Sequence, residues 1–307
     1  MKAKVFISCG QRDAERTTAL AIAQWFAEHG FQPYVAIDAQ GIQDVNSGII
    51  QELRRSDYYV FIDFRREQVS GGGANATYRG SLFSHQELAI AYALRFEHVV
   101  FFRQSQVLLE GLAAYMASNA AVFESFDELT ELIAEAVLKR QWSPNYSRNL
   151  VVSNLRFPTE LIHYADMSGR FLCVDIENRR PDVGAGGTVA RLAALIINST
   201  QRRISPNHSP LKVNGQSMAY EQMIWPLSHG AVDLLCVDRE VGCRVYLNNA
   251  LDLTPRPVLI ESVGDHFLEY EVFANGFDVQ RFGVKLRLTE KCDEAEAELV
   301  PGLDETS

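Results

Sequence analysis

Two hydrophobic periods alternate along the first 142 residues. The short apolar runs "KVFIS" (4–8), "QPYVAI" (32–37), "YYVFIDF" (58–64), "HVVFF" (98–102) and "AAVFE" (120–124) read as strands. The run at 58–64 is apolar on both faces, as at the centre of a parallel sheet. Between these runs the spacing is helical. "AERTTALAIAQWFAEHG" (14–30) carries Leu20, Ala23, Trp25 and Phe26 at helical intervals and stops at Gly30. "SGIIQELRRS" (47–56) predicts a short helix with Ser47 as its N-cap. Further helices are expected from about Ser84 to Arg95, in "LLEGLAAYMA", and over "FDELTELIAEAVLKRQW" (126–142). Strands and helices in alternation predict an α/β domain over residues 1–142, with a doubly wound five-stranded parallel sheet.

"WSPNYSRN" is rich in turn formers and marks a linker at 143–149. Beyond it the period changes. "RFLCVDIEN" (170–178), "TVARLAALIIN" (188–198), "VDLLCVDRE" (232–240), "RVYLN" (244–248), "HFLEYEVFA" (266–274) and "RFGVKLRL" (281–288) are strand-like, and stretches such as "RRPDVGAGG" separate them. This predicts an all-β, Ig-like antiparallel sandwich over 150–290, with residues 170–198 as two antiparallel strands around a flexible turn. The end of the chain, "EKCDEAEAELVPGLDETS", sets one Lys against seven acids, so 291–307 is expected to be a disordered acidic tail.

Composition narrows the function classes. The chain is 47% hydrophobic and 22% charged, as in ordinary globular proteins. No apolar run approaches the length of a membrane span. "MKAKVFISCG" enters a strand at once and leaves no room for a signal peptide, so a cytoplasmic location is expected. The net charge of −10 lies mostly in the second half, and no basic stripe supports nucleic-acid binding. Five scattered cysteines without a CxxC pair read as free thiols, and no metal-ligand pattern is present.

In a doubly wound sheet, ligands bind at the carboxyl ends of the strands. Ser8, Cys9 and Gly10 end the first strand, and Asp38 follows the second. "SLFSHQE" (81–87) brings Glu87 to the same edge at a helix start, with Phe83 and Ser84 before it. Two roles are open to Glu87. It completes a capping box with Ser84 three residues earlier, or it is the working carboxylate of a site.

These segments resemble the Toll/interleukin-1 receptor (TIR) domain family of the bacterial NAD-cleaving type. "KVFISCGQRDAE" resembles the family's opening strand, with an acid, Asp13, a few residues on. "VAIDAQGIQDVNSGIIQELRRSDYYVFID" resembles its second strand, BB loop, second helix and third strand. "SLFSHQE" resembles the catalytic pattern S-x-W-C-x-x-E, with Phe83 for the Trp and Ser84 for the Cys. The likeness covers residues 3–142. Cys9 replaces the usual Tyr, and "RREQVSGGGANATYRG" (65–80) is a long insertion, read as a mobile flap.

The resemblance implies cleavage of the nicotinamide–ribose bond of NAD+, to linear or cyclic ADP-ribose. Glu87 would be catalytic, and Ser8, Cys9, Gly10, Asp38, Phe83 and Ser84 would contact NAD+. No cofactor beyond that substrate is implied. Self-association through TIR domains would activate the protein in antiphage defence, with the β-domain binding a trigger or partner. Two alternatives stay open: a non-catalytic TIR interaction module, and a nucleoside deoxyribosyltransferase-like enzyme, in which Asp63 or Asp38 would have to enter the site.

Overall fold

A computed structural model describes residues 2–36, 42–70, 76–117, 119–164, 167–198, 201–204, 209–216 and 218–302. The chain divides into two compact units, Met1–Tyr146 and Ser147–Ser307.

The first unit runs β1 (Lys4–Ser8), α1 (Asp13–Glu28), β2 (Gln32–Val35), α2 (Ile42–Arg54), β3 (Tyr58–Asp63), β4 (Gln68–Ser70), β5 (Thr77–Arg79), α3 (Leu82–Ala93), β6 (Val99–Gln104), β7 (Val107–Leu108), α4 (Gly111–Met116), β8 (Ala121–Phe123) and α5 (Phe126–Lys139). One sheet is parallel, in the order β2-β1-β3-β6-β8. The period of two along its strands divides the apolar residues between two cores. Val5, Ile7, Val60 and Ile62 pack with Ile22 and Phe26 of α1 and with Leu129 and Ile133 of α5. Phe6, Tyr59 and Phe61 face the other way, with Leu53 of α2 and Leu88 and Ala91 of α3. Ser8, two residues beyond Phe6, continues that second face beneath α3.

Several expectations need correction here. The stretch 65–80 is not simply a flap, because β4 and β5 pair as a hairpin and β5 adds β7 in a separate three-stranded sheet. Ser47 lies inside α2, which begins at Ile42. The N-cap of α3 is Ser81, whose side chain accepts the Ser84 N–H at 3.5 Å. Glu87 therefore sits in the second turn and takes no part in a capping box.

The second unit contains β9 (Val151–Arg156), β10 (Ile162–Tyr164), β11 (Met167–Asn178), β12 (Ala185–Ile197), β13 (Gln201–Ile204), β14 (Gln222–Ile224), β15 (Ser228–Asp238), β16 (Arg244–Leu247), β17 (Ile260–Glu261), β18 (Gly264–Phe273), β19 (Gln280–Leu288) and β20 (Glu296–Pro301). One six-stranded sheet has the order β10-β11-β15-β16-β17, with β9 also on β11. The other has β13-β12-β18-β19-β20, with β14 also on β12. Leu172, Val174 and Leu234 from the first and Leu192, Leu268, Tyr270 and Val284 from the second share one core. The strands of 170–198 are thus not paired with each other. β11 pairs with β15 and β12 with β18, in different sheets.

The expected class, a doubly wound α/β domain followed by an Ig-like sandwich, is accordingly overturned. The described residues are mostly β, with 41% strand and 23% helix, distributed over several sheets. Among the described residues the second unit has twelve strands where six or seven are legible, and strands at the margins of the two sheets account for the excess. Part of the expected acidic tail is regular structure. A 3-10 turn at 292–294 leads into β20, which pairs with β19.

Arg170 of β11 ties this unit together. It is 4% exposed, and its guanidinium donates to the carbonyls of Phe157 and Pro158 and to those of Cys292, Asp293 and Ala295, at 2.8–3.2 Å. All five cysteines are free thiols. Among the described residues no helix is long and apolar enough to cross a membrane.

Candidate active site

The buried stripe of α3 is Ser84, Glu87, Leu88 and Ala91, at the spacing of one helical face. Two of its four members are polar, and both lie at the end of α3 nearest the carboxyl end of β1. Glu87 is 7% exposed and accepts a hydrogen bond from Ser8 Oγ at 2.5 Å. The two residues are 79 positions apart in sequence. Burial pushes the Glu87 carboxyl up to about 7, against the opposing pull of the Ser8 hydroxyl.

Two further hydroxyls belong to this buried region. Ser84 Oγ, one turn before Glu87, has no hydrogen-bond partner among the described residues. Tyr59 Oη is fully buried, feels the charge of Glu87, and lies near Ser8 without forming an aligned hydrogen bond. Buried polar atoms are rarely left unpaired, which sets these two hydroxyls apart from the apolar residues around them. The arrangement offers one desolvated carboxylate with hydroxyls beside it. Such a group stabilises positive charge more strongly than it would in water.

Cys9 lies next to Ser8 but belongs to the opposite core. Burial, then the charges of Glu87 and Glu15, push its thiol up to about 12, with Arg66 opposing. A thiol in that state is not a nucleophile at neutral pH. Gly10 sits against an ion pair in which Arg66 Nη2 donates to Glu15 Oε2 at 2.6 Å, and Glu15 is 3% exposed. A Cβ on Gly10 would stand 1.9 Å from that nitrogen and 2.1 Å from that oxygen. Gly10→Ala is therefore expected to cost about 2 kcal/mol in urea unfolding, and most of that cost should vanish when Glu15 is also replaced by Ala.

Of the residues the sequence singles out, Ser8, Ser84 and Glu87 come together, with Cys9 adjacent. Phe83 is 66% exposed and does not wall Glu87. Asp38 lies outside the described residues. Tyr59 and His85 are additions, and Asp63, the aspartate named for the transferase alternative, is paired with His85. His85 Nε2 meets Asp63 Oδ2 at 2.8 Å. Tyr59 reads in sequence as one more apolar letter of a buried strand. The one signal for its role is the period of two that puts Phe6 and Ser8 on its face.

No protein-family model matches the chain, and no curated protein matches it. Among solved structures, a β-glucosidase from Kluyveromyces marxianus in complex with glucose aligns at 10% identity over 86% of this chain and 35% of that one, with a TM-score of 0.22. Its selenomethionine-labelled form aligns at 10% identity over 87% of this chain and 35% of its own, with a TM-score of 0.20. The chain spans about a third of the length of those structures, and a likeness at this level carries no argument about fold or activity.

Proposed function

We propose that the first unit cleaves the bond between nicotinamide and ribose in NAD+. The observation that carries this reading is Glu87, desolvated, hydrogen-bonded to Ser8 and flanked by the uncommitted hydroxyl of Ser84. The likeness of "FIS" and "SLFSHQE" to catalytic TIR segments supports it. The chemistry asks for little else. Nicotinamide leaves as a neutral base with the electron pair of the C–N bond, so it needs no general acid. Positive charge grows on the ribose, where the Glu87 carboxylate stabilises it. Water then adds to the anomeric carbon and its proton passes to solvent. Attack by an adenine nitrogen instead gives the cyclic product.

The deoxyribosyltransferase alternative needs a second aspartate in the site. Asp63 is fully buried and already engaged by Ser81 N–H and His85, which weighs against it. The non-catalytic TIR module leaves the desolvation of Glu87 without a use. The second unit, in this reading, binds the partner that brings first units together.

The test is incubation of the full chain with NAD+, alone and clustered through a fused oligomerising tag. Nicotinamide should appear one for one with NAD+ loss, and faster on clustering. Absence of nicotinamide in both conditions would remove the proposal, and turnover of nucleosides in its place would favour the transferase. The carboxylate is the active form, so kcat/KM should rise by about tenfold per pH unit and level off near the Glu87 midpoint of about 7.

A further inference from the structure

The sheet edge beside Glu87 carries a second buried carboxylate for which the proposed reaction has no use. Asp63, the last residue of β3, is fully buried. Its Oδ1 accepts the Ser81 N–H at 2.8 Å and its Oδ2 meets His85 Nε2 at 2.8 Å. Both partners belong to the start of α3: Ser81 is its N-cap and His85 lies in its first turns. The loop entering the helix is moulded to this carboxylate. A Cβ on Gly80 would stand 2.0 and 2.1 Å from the two Asp63 oxygens, so only glycine lets the chain pass so close. The His85 ring, 20% exposed, lies 5.8 Å from that of Phe61 on the same strand.

We propose that Asp63 and His85 are positioning residues, a latch that pins the start of α3 to the end of β3 and so holds Glu87 against Ser8. The geometry requires something of this kind. Burying the Glu87 carboxylate is unfavourable, and the serines at the same end of α3 offer little apolar area to hold that turn down. Leu88 and Ala91 anchor only the following turns. Without a tie at its start, the cheapest response of α3 is to lift its first turns and let water reach Glu87. The Asp63 carboxylate supplies that tie twice, through a backbone N–H and through the imidazole. It acts through α3 and touches no reacting atom.

The inference rests on Glu87 being the working group, but its test does not depend on turnover. The carboxyl of Glu87 would be titrated by NMR in uniformly 13C-glutamate-labelled full-length protein, identified as the resonance missing from Glu87→Gln. The groups that feel its charge, Cys9 on the β1 side, Tyr34 on β2 and Tyr59 on β3, are left in place. In the native protein the midpoint should lie near 7. In His85→Ala it should fall by about one unit or more toward the ordinary value of 4.5, as water reaches the carboxylate. His85→Gln, whose amide nitrogen reaches the place of Nε2, should restore most of the shift. Gly80→Ala, which drives a Cβ into the Asp63 carboxylate, should lower the midpoint by an independent route. If NAD+ is cleaved, His85→Ala should lose kcat more than it raises KM. A lower melting temperature with an unmoved Glu87 midpoint would show Asp63–His85 to be structural only and would overturn the inference. Failure to cleave NAD+ would remove the functional reading and leave the titration to decide the latch.

Discussion

Glu87→Gln should abolish NAD+ cleavage and, in the same protein, raise the melting temperature at pH 8. The loss of activity is expected to be at least about 100-fold, the usual scale for removing a group that stabilises transition-state charge. The gain in stability follows from the raised carboxyl. An unfolded Glu87 loses its proton near 4.5 and the folded one near 7. Between those values the native state keeps a proton that the unfolded state has released, so stability falls as pH rises through the interval. Above about pH 7 the ionised carboxylate costs the fold about 3 kcal/mol. Gln carries no charge, keeps an acceptor for Ser8, and escapes that cost. Its melting temperature should exceed that of the native protein by roughly 5–10 °C at pH 8 and match it at pH 4. Calorimetry at the two pH values beside a nicotinamide-release assay checks both halves. Equal melting temperatures at pH 8 would mean that Glu87 is not desolvated.

The second large effect lies in the other unit. Arg170→Met keeps much of the length and apolar stem but leaves five carbonyls without their donor, those of Cys292 and Ala295 in fully buried positions. The expected cost is about 3–5 kcal/mol, or roughly 10 °C in the melting of this unit. Arg170→Lys should recover less than half, because one ammonium cannot serve both groups of carbonyls that the planar fork spans. Amides of β20, which follows directly on the Arg170-bound turn, should lose hydrogen-exchange protection first. Protection at 296–301 equal to the native protein would refute this role.

Legibility in the sequence tracked how local each signal is. The runs that became β1, β3 and β6, and the helix holding Glu87, announce themselves by period alone. That Ser8 meets Glu87 follows only once β1 and β3 are parallel neighbours with α3 above them. The capping-box reading of Ser84 and Glu87 failed because Ser81, three residues earlier, is an equally good cap and begins the helix sooner. The contact between Asp63 and His85 is not legible in the sequence for a geometric reason. His85 is two residues from Glu87 and points off the buried stripe, and Asp63 looks like the polar end of an apolar strand. Gly80 was the available clue, a glycine just before a helix cap. In the second unit, "VDIENRRPDVGAGGTV" has the look of a hairpin, yet both long strands send their apolar faces to one core from opposite sheets. β20 was hidden by its acids. Glu296 and Glu298 point outward while Ala297 and Leu299 pack against the core.

That last strand has a consequence for the life of the protein in a crowded solution. β20 closes one side of its sheet, and without it the backbone of β19 would stand open over most of its length. An uncovered strand of that kind invites a neighbouring chain to pair with it, and repeated pairing builds insoluble aggregates. The acidic segment meets this hazard twice, by occupying the edge and by presenting carboxylates to any chain that approaches. A protein shortened at Ala295 should therefore keep the buried residues of the second unit's core, losing only the flanking contacts of Ala297 and Leu299, and still precipitate.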